Sequence, residues 1–184
     1  MKSALVVVGL EINGVSDQAT LRRLDDLAWF VNELVAFGCR QHQSEGLQPF
    51  DKTFFVVGLH DPRYSSCLRR DRLHQETYVK MMNQPFLSSV LGRWEDSYRE
   101  ELKELGNRLR SDGIEQVAVC GSPTLEAISE LKRASFEVFL ISDEQAFGFT
   151  EEEGRNRLLA TARAEGTPST TKSDIFETWC HKTD

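Results

Sequence analysis

The sequence predicts a doubly wound, mainly parallel α/β sheet with helices on both faces, and three observations carry that expectation. Short runs rich in apolar and β-branched residues recur as ALVVVGL (4–10), TFFVVGLH (53–60), QVAVCG (116–121) and EVFLIS (137–142). Their apolar residues are continuous instead of alternating, as in strands covered on both sides. Between them lie stretches with apolar residues at helical spacing, and strands alternating with helices at this interval require right-handed crossovers and a parallel sheet. The third observation is the junction VAVCGSPTLEAI, where a buried strand hands over to a helix through Gly121, Ser122 and Pro123. In α/β folds, ligands sit at such junctions.

Taken in order, ALVVVGL reads as a central strand, and EINGVSD supplies turn residues. From Gln18 to about Cys39, Leu21, Leu24, Leu27, Val31, Leu34 and Val35 recur at threes and fours with Arg22, Arg23, Asp25 and Asp26 between them, which is a long amphipathic helix. QHQSEGLQPFDK reads as loop, and the second strand ends at His60. Residues 61–90, with Pro62, Pro85 and several serines, read as irregular with short helices. Trp94, Tyr98, Leu102, Leu105 and Leu109 form a helical stripe closed by Gly113. After the strand 116–121 come a helix over PTLEAISELKRA and the strand EVFLIS. Thr150 and Glu153 read as a capping box opening a helix through Arg163, followed by a short strand near 168–171 and a helix from Ser173.

At 184 residues the chain is expected to be a single domain, 1–184, able to bury a core without staples. Its four cysteines, Cys39, Cys67, Cys120 and Cys180, form no zinc-type spacing, and with no signal peptide a reducing cytoplasm is the expected setting. The apolar stretch after Lys2 is too short to insert in a membrane. The net charge of −7 argues against a nucleic-acid surface, although Arg69 and Arg70 are adjacent. No nucleic-acid or membrane partner and no cofactor are expected.

Three stretches resemble the isochorismatase-like (cysteine hydrolase) family of nicotinamidases, N-carbamoyl amidohydrolases and isochorismatases. ALVVVGLEIN is similar to the family's first strand, A-L-L-V-I-D-M-Q-N; VKMMNQPFLSSVL to its K-x-x-x-x-x-F-x-x-T-x-L; and GIEQVAVCGSPTLEAI to its G-I-D-T-V-V-V-C-G-V-A-T-D-V-C-V. FEVFLISDEQAFGFTEEE is similar to the family's Y-x-V-x-V-x-x-D-A-x-A-S-x-x-x-E. The resemblance spans Ser3 to about Ile175 and implies that family's fold and sheet order.

It also implies a chemistry. In the family a cysteine at the start of a helix attacks a carbonyl, an aspartate carries the proton, and a lysine polarises the pair. Carried over by position, the aspartate falls on Gly9, the lysine on Lys80 and the cysteine on Ala127. Glycine cannot move a proton and alanine cannot attack. The resemblance therefore implies a degenerate member, a binding or assembly module acting through homo-oligomers or a partner protein. The alternatives are a hydrolase of a small amide or enol ether using Glu11 and Lys80, or a sensor that binds a small-molecule ligand in the remnant pocket. Substrate-binding candidates are Gly9, Glu11, Lys80, Ser122, Pro123, Thr124 and Ala127.

Other residues have plainer readings. Cys120 matches a buried, inert position of the family. Glu11 stands where the family has glutamine and can bond the loop after it. The family's cis peptide after this strand falls on Ser122–Pro123 and favours cis here; the residues alone also allow a trans Pro with Ser122 as N-cap. His60, Asp61 and His74 do not match the family's metal spacing, so no metal is expected. Cys67 near Arg69 and Arg70 reads as a loop cysteine. Trp29, Phe30, Trp94 and Tyr98 read as core or subunit contacts.

Overall fold

The computed structural model describes residues 1–9, 17–37, 47–58, 75, 87–88, 94–123, 125–148 and 151–182. In chain order the elements are β1 (Ser3–Val8), α1 (Gln18–Asn32) continued by a π-helical turn (Glu33–Phe37), β2 (Leu47–Gln48), β3 (Lys52–Gly58), β4 (Leu87–Ser88) and α2 (Trp94–Ser111). Then follow β5 (Gln116–Gly121), α3 (Leu125–Arg133), β6 (Glu137–Ile141), a 3₁₀ turn (Glu144–Ala146), α4 (Glu152–Ala164), β7 (Ser169–Thr170), α5 (Lys172–Thr178) and β8 (His181–Lys182).

Six strands form one sheet in the order β4-β3-β1-β5-β6-β7, and every pairing in it is parallel. All six residues of β1 and the last five of β5 are buried, as continuous apolar strands require. β1 sits at the centre, pairing Val7 with Phe55 on one side and with Cys120 on the other. The chain leaves β1 toward β3 but leaves β5 toward β6, so the direction of winding reverses between β1 and β5. Right-handed crossovers then set α1 on one face and α2, α3 and α4 on the other. The contacts agree: Lys172 of α5 pairs with Glu33 at the end of α1 (Nζ–Oε2 2.7 Å), while α2 packs on α3.

The core joins Leu27, Val31 and Leu34 from one face to Leu105, Leu109, Ile128 and Leu131 from the other through β1 and β5. Among the described residues no helix is long and apolar enough to cross a membrane.

Several expectations are corrected. The first helix is α-helical to Asn32 and then widens into the π-helical turn. The stretch read as loop contains β2, which pairs antiparallel with β8 at the tail, and the irregular stretch contributes the edge strand β4. Each of these strands is two residues long, too short to show a period. The N-cap of α4 is Glu151, with no side-chain cap bond, and not Thr150, which lies outside the described residues. A capping box does occur at Thr171 and Asp174, opening α5.

Candidate functional site

The winding reverses between β1 and β5, and open α/β sheets bind ligands outside the carboxyl ends of the strands at such a point. The described bonds between these strand ends are backbone ones. β1 ends at Val8, and Gly9 follows with φ +72°, its N–H donating to Val56 O at 2.9 Å. β5 ends at Gly121 with φ +96°, and Ser122 N–H donates to Val8 O at 2.7 Å. A Cβ on Gly121 would lie 2.0 Å from Val8 O, so this close approach of strand ends admits glycine alone. Phe147, just after the 3₁₀ turn, makes an isolated parallel bridge to Gly121, and Gly148 N–H donates to Gly121 O at 3.2 Å.

The Ser122–Pro123 bond is trans, which corrects the expectation of a cis bond. The physical reason lies one residue earlier. Gly121 turns the chain with its positive φ, so the peptide after Ser122 can keep the trans form that X-Pro bonds favour by about 0.5–1 kcal/mol. Pro123 is buried just ahead of α3, and Ala127, 1 % exposed, is the third residue of that helix.

Ser122 Oγ is buried and has no hydrogen-bond partner among the described residues. It faces Gly148, whose added Cβ would stand 3.6 Å from it and 3.0 Å from Leu27 Cδ2. Gly148 was not among the sequence candidates. The signal available for it was a glycine shortly after a strand, in AFGF.

Of the sequence candidates, Gly9 directly follows β1, Ser122 and Pro123 directly follow β5, and Ala127 lies in the first turn of α3. Glu11, Lys80 and Thr124 lie outside the described residues, as do Cys39, His60, Asp61, Cys67, Arg69, Arg70 and His74. Cys120 is fully buried in β5, and desolvation pushes its thiol far above the ordinary range, which suits an inert core position and not a nucleophile. Cys180 is part-exposed, and desolvation raises its thiol as well. Among the described residues no group of three His, Cys, Asp or Glu side chains is arranged to hold a metal. Phe30 is core, whereas Trp29 is 59 % exposed.

The sequence matches no protein-family model and no curated protein. Solved structures share its fold. A nicotinamidase from Staphylococcus aureus superposes with a TM-score of 0.56 over 92 % of this chain and 100 % of its own, at 17 % identity. The YcaC gene product of Escherichia coli, an octameric hydrolase of unknown specificity, gives 0.57 over 95 % of this chain and 78 % of its own, at 14 % identity. An isochorismatase-like hydrolase from Alkaliphilus metalliredigens gives 0.55 over 97 % and 100 %, also at 14 % identity. The architecture is therefore the isochorismatase-like α/β fold.

Proposed function

We propose that this chain is a single-domain, cytoplasmic member of the isochorismatase-like proteins that has lost the family's hydrolytic chemistry and serves as a binding or assembly module. The observation that carries the reading is the pair Gly9 and Ala127. The resemblance puts the proton carrier and the nucleophile at these positions; Gly9 directly follows β1, and Ala127 is the third residue of the helix after β5. The backbone adds weight. Gly9 holds a positive φ, which costs a residue with a side chain about 1–2 kcal/mol, so the position is shaped for glycine. Ala127 offers only a methyl group where the helix N-terminus would otherwise lower a thiol pKa.

The reading is tested by turnover of nicotinamide, N-carbamoyl amides and an enol ether by purified protein. The expected result is no turnover above that of the Lys80→Ala variant. Robust turnover abolished by Lys80→Ala would overturn it and favour relocated chemistry through Glu11 and Lys80.

One observation supports a second reading, a small-molecule sensor. Ser122 Oγ, buried beside the ends of β1 and β5 without a partner among the described residues, is a group that a carboxylate or amide would satisfy. Small carboxylates and amides would then raise the melting temperature by mass action, and the rise would disappear in Ser122→Ala. An equal rise in the variant sinks that reading.

A further inference from the structure

Helix α1 buries Leu24, Leu27, Ala28, Phe30 and Val31 and turns a different stripe outward: Ala19, Arg22, Asp26 and Trp29 are all exposed, Trp29 by 59 %. Their spacing is three, four, three, that of a coiled-coil seam, and the stripe runs about 15 Å along the helix. We propose that this stripe is a homodimer interface, in which α1 of one copy lies antiparallel on α1 of a second copy about a two-fold axis level with Leu24. The proposal rests on the assembly half of the function proposed above and names the surface that would perform it.

The argument is self-complementarity. In an antiparallel pair about that axis, Ala19 faces Trp29 of the second copy and Arg22 faces Asp26, each contact occurring twice by symmetry. The smallest side chain of the seam thereby leaves room for the largest, and each charge meets its opposite. A parallel pair would instead set Arg22 against Arg22, Asp26 against Asp26 and Trp29 against Trp29, so the charges select the antiparallel arrangement. Within one helix, moreover, a base four residues before an acid is the less favourable order, which makes the opposite helix the better partner for both. Trp29 supplies the kind of large, amphipathic anchor that dominates interface energetics, while the ion pairs fix register and orientation.

An interface confined to one pair of short helices falls below the roughly 1,200 Å² at which stable complexes begin, so the dimer is weak and concentration-dependent. Sedimentation velocity from about 5 to 500 µM protein reads it directly, together with Trp29→Ala, Arg22→Asp and Asp26→Arg, each checked for native circular dichroism. A monomer–dimer equilibrium is expected, weakened about tenfold or more by each variant and by raising salt from about 0.05 to 0.5 M. An equimolar mixture of Arg22→Asp and Asp26→Arg chains should regain dimer, because every pair across that heterodimer is again opposite in sign. An assembly indifferent to all three variants, or a mixture that stays monomeric, overturns the α1 interface and leaves the assembly reading standing on another surface. A chain monomeric at every concentration overturns the interface and homo-assembly together, and turnover assays judge the loss of hydrolysis separately.

Discussion

At the β7–α5 turn, side-chain bonds reinforce the backbone ones, which include Ser142 N–H to Thr170 O at 2.8 Å and Ile175 N–H to Thr171 O at 3.0 Å. Thr171 Oγ1 accepts from Asp174 N–H at 3.1 Å, Asp174 Oδ2 accepts from Thr171 N–H at 3.0 Å, Lys172 N–H donates to Asp143 Oδ2 at 2.7 Å, and Lys172 Nζ reaches Glu33 while lying 5.6 Å from the Phe30 ring centroid. At the β5–α3 turn the described bonds are backbone ones, Ser122 N–H to Val8 O and Gly148 N–H to Gly121 O, and the Ser122 hydroxyl has no partner among the described residues. Both turns carry a parallel strand into a helix. The first is a structural joint whose side chains satisfy one another, and the second, among the described residues, is held by backbone bonds and glycine geometry beside the Ser122 hydroxyl. A joint of the second kind, at the reversal of winding, is where a bound molecule fits the fold's physics.

That contrast can be broken most severely at Gly121. Gly121→Ala forces a Cβ to 2.0 Å from a backbone oxygen at φ +96°, so a loss of more than about 4 kcal/mol is expected, read as a collapse of the urea midpoint or as failure to fold. Next comes the aromatic anchor beyond α5. Trp179 is 8 % exposed and stands edge-on to Phe139 (5.1 Å) and Phe50 (5.7 Å), so Trp179→Ala should cost about 3 kcal/mol by the same measurement.

The sharpest pair of tests compares two hydroxyls. Thr171→Ala removes a cap and should destabilise by about 1 kcal/mol. Ser122→Ala removes a buried hydroxyl without a described partner and should be neutral or stabilising by up to about 1 kcal/mol. Equal losses at both positions would erase the distinction between the two turns. The smallest effect concerns cysteines near the same two regions. Iodoacetamide on the native protein at pH 8, followed by peptide mapping, should modify part-exposed Cys180 at least about tenfold faster than Cys120, whose thiol is held neutral by burial. Because burial raises the Cys180 thiol too, its labelling should continue to speed up as pH rises past 9. Rapid modification of Cys120 would return it to consideration as a nucleophile.

Much of the architecture was legible along the chain. β1, β3, β5 and β6 announce themselves because a strand buried on both faces must be apolar throughout, and α1 to α3 because a helix on a sheet needs one apolar stripe. The candidate site was legible in part. Gly9, Ser122 and Ala127 are singled out by the resemblance, which also matches Cys120 to a buried, inert position of the family. Gly148 was not legible, since its role comes from touching Gly121 and Leu27, residues far away in sequence.

By itself, then, the sequence determined the alternation of strands and helices, the buried faces, and the residue types at the strand ends, all of which follow from local periodicity and side-chain chemistry. Tertiary structure decided the rest. It paired the two-residue strands β2 and β8, whose local pattern is too short to specify them. It opened α4 at Glu151 and gave α5 the full capping box, because caps are completed only when the flanking backbone takes the required dihedral angles. It kept Ser122–Pro123 trans, because Gly121, pressed against Val8, already makes the turn. It also left the Ser122 hydroxyl buried without a partner among the described residues and Trp29 in the open, since exposure and hydrogen-bond satisfaction depend on what the rest of the chain brings alongside.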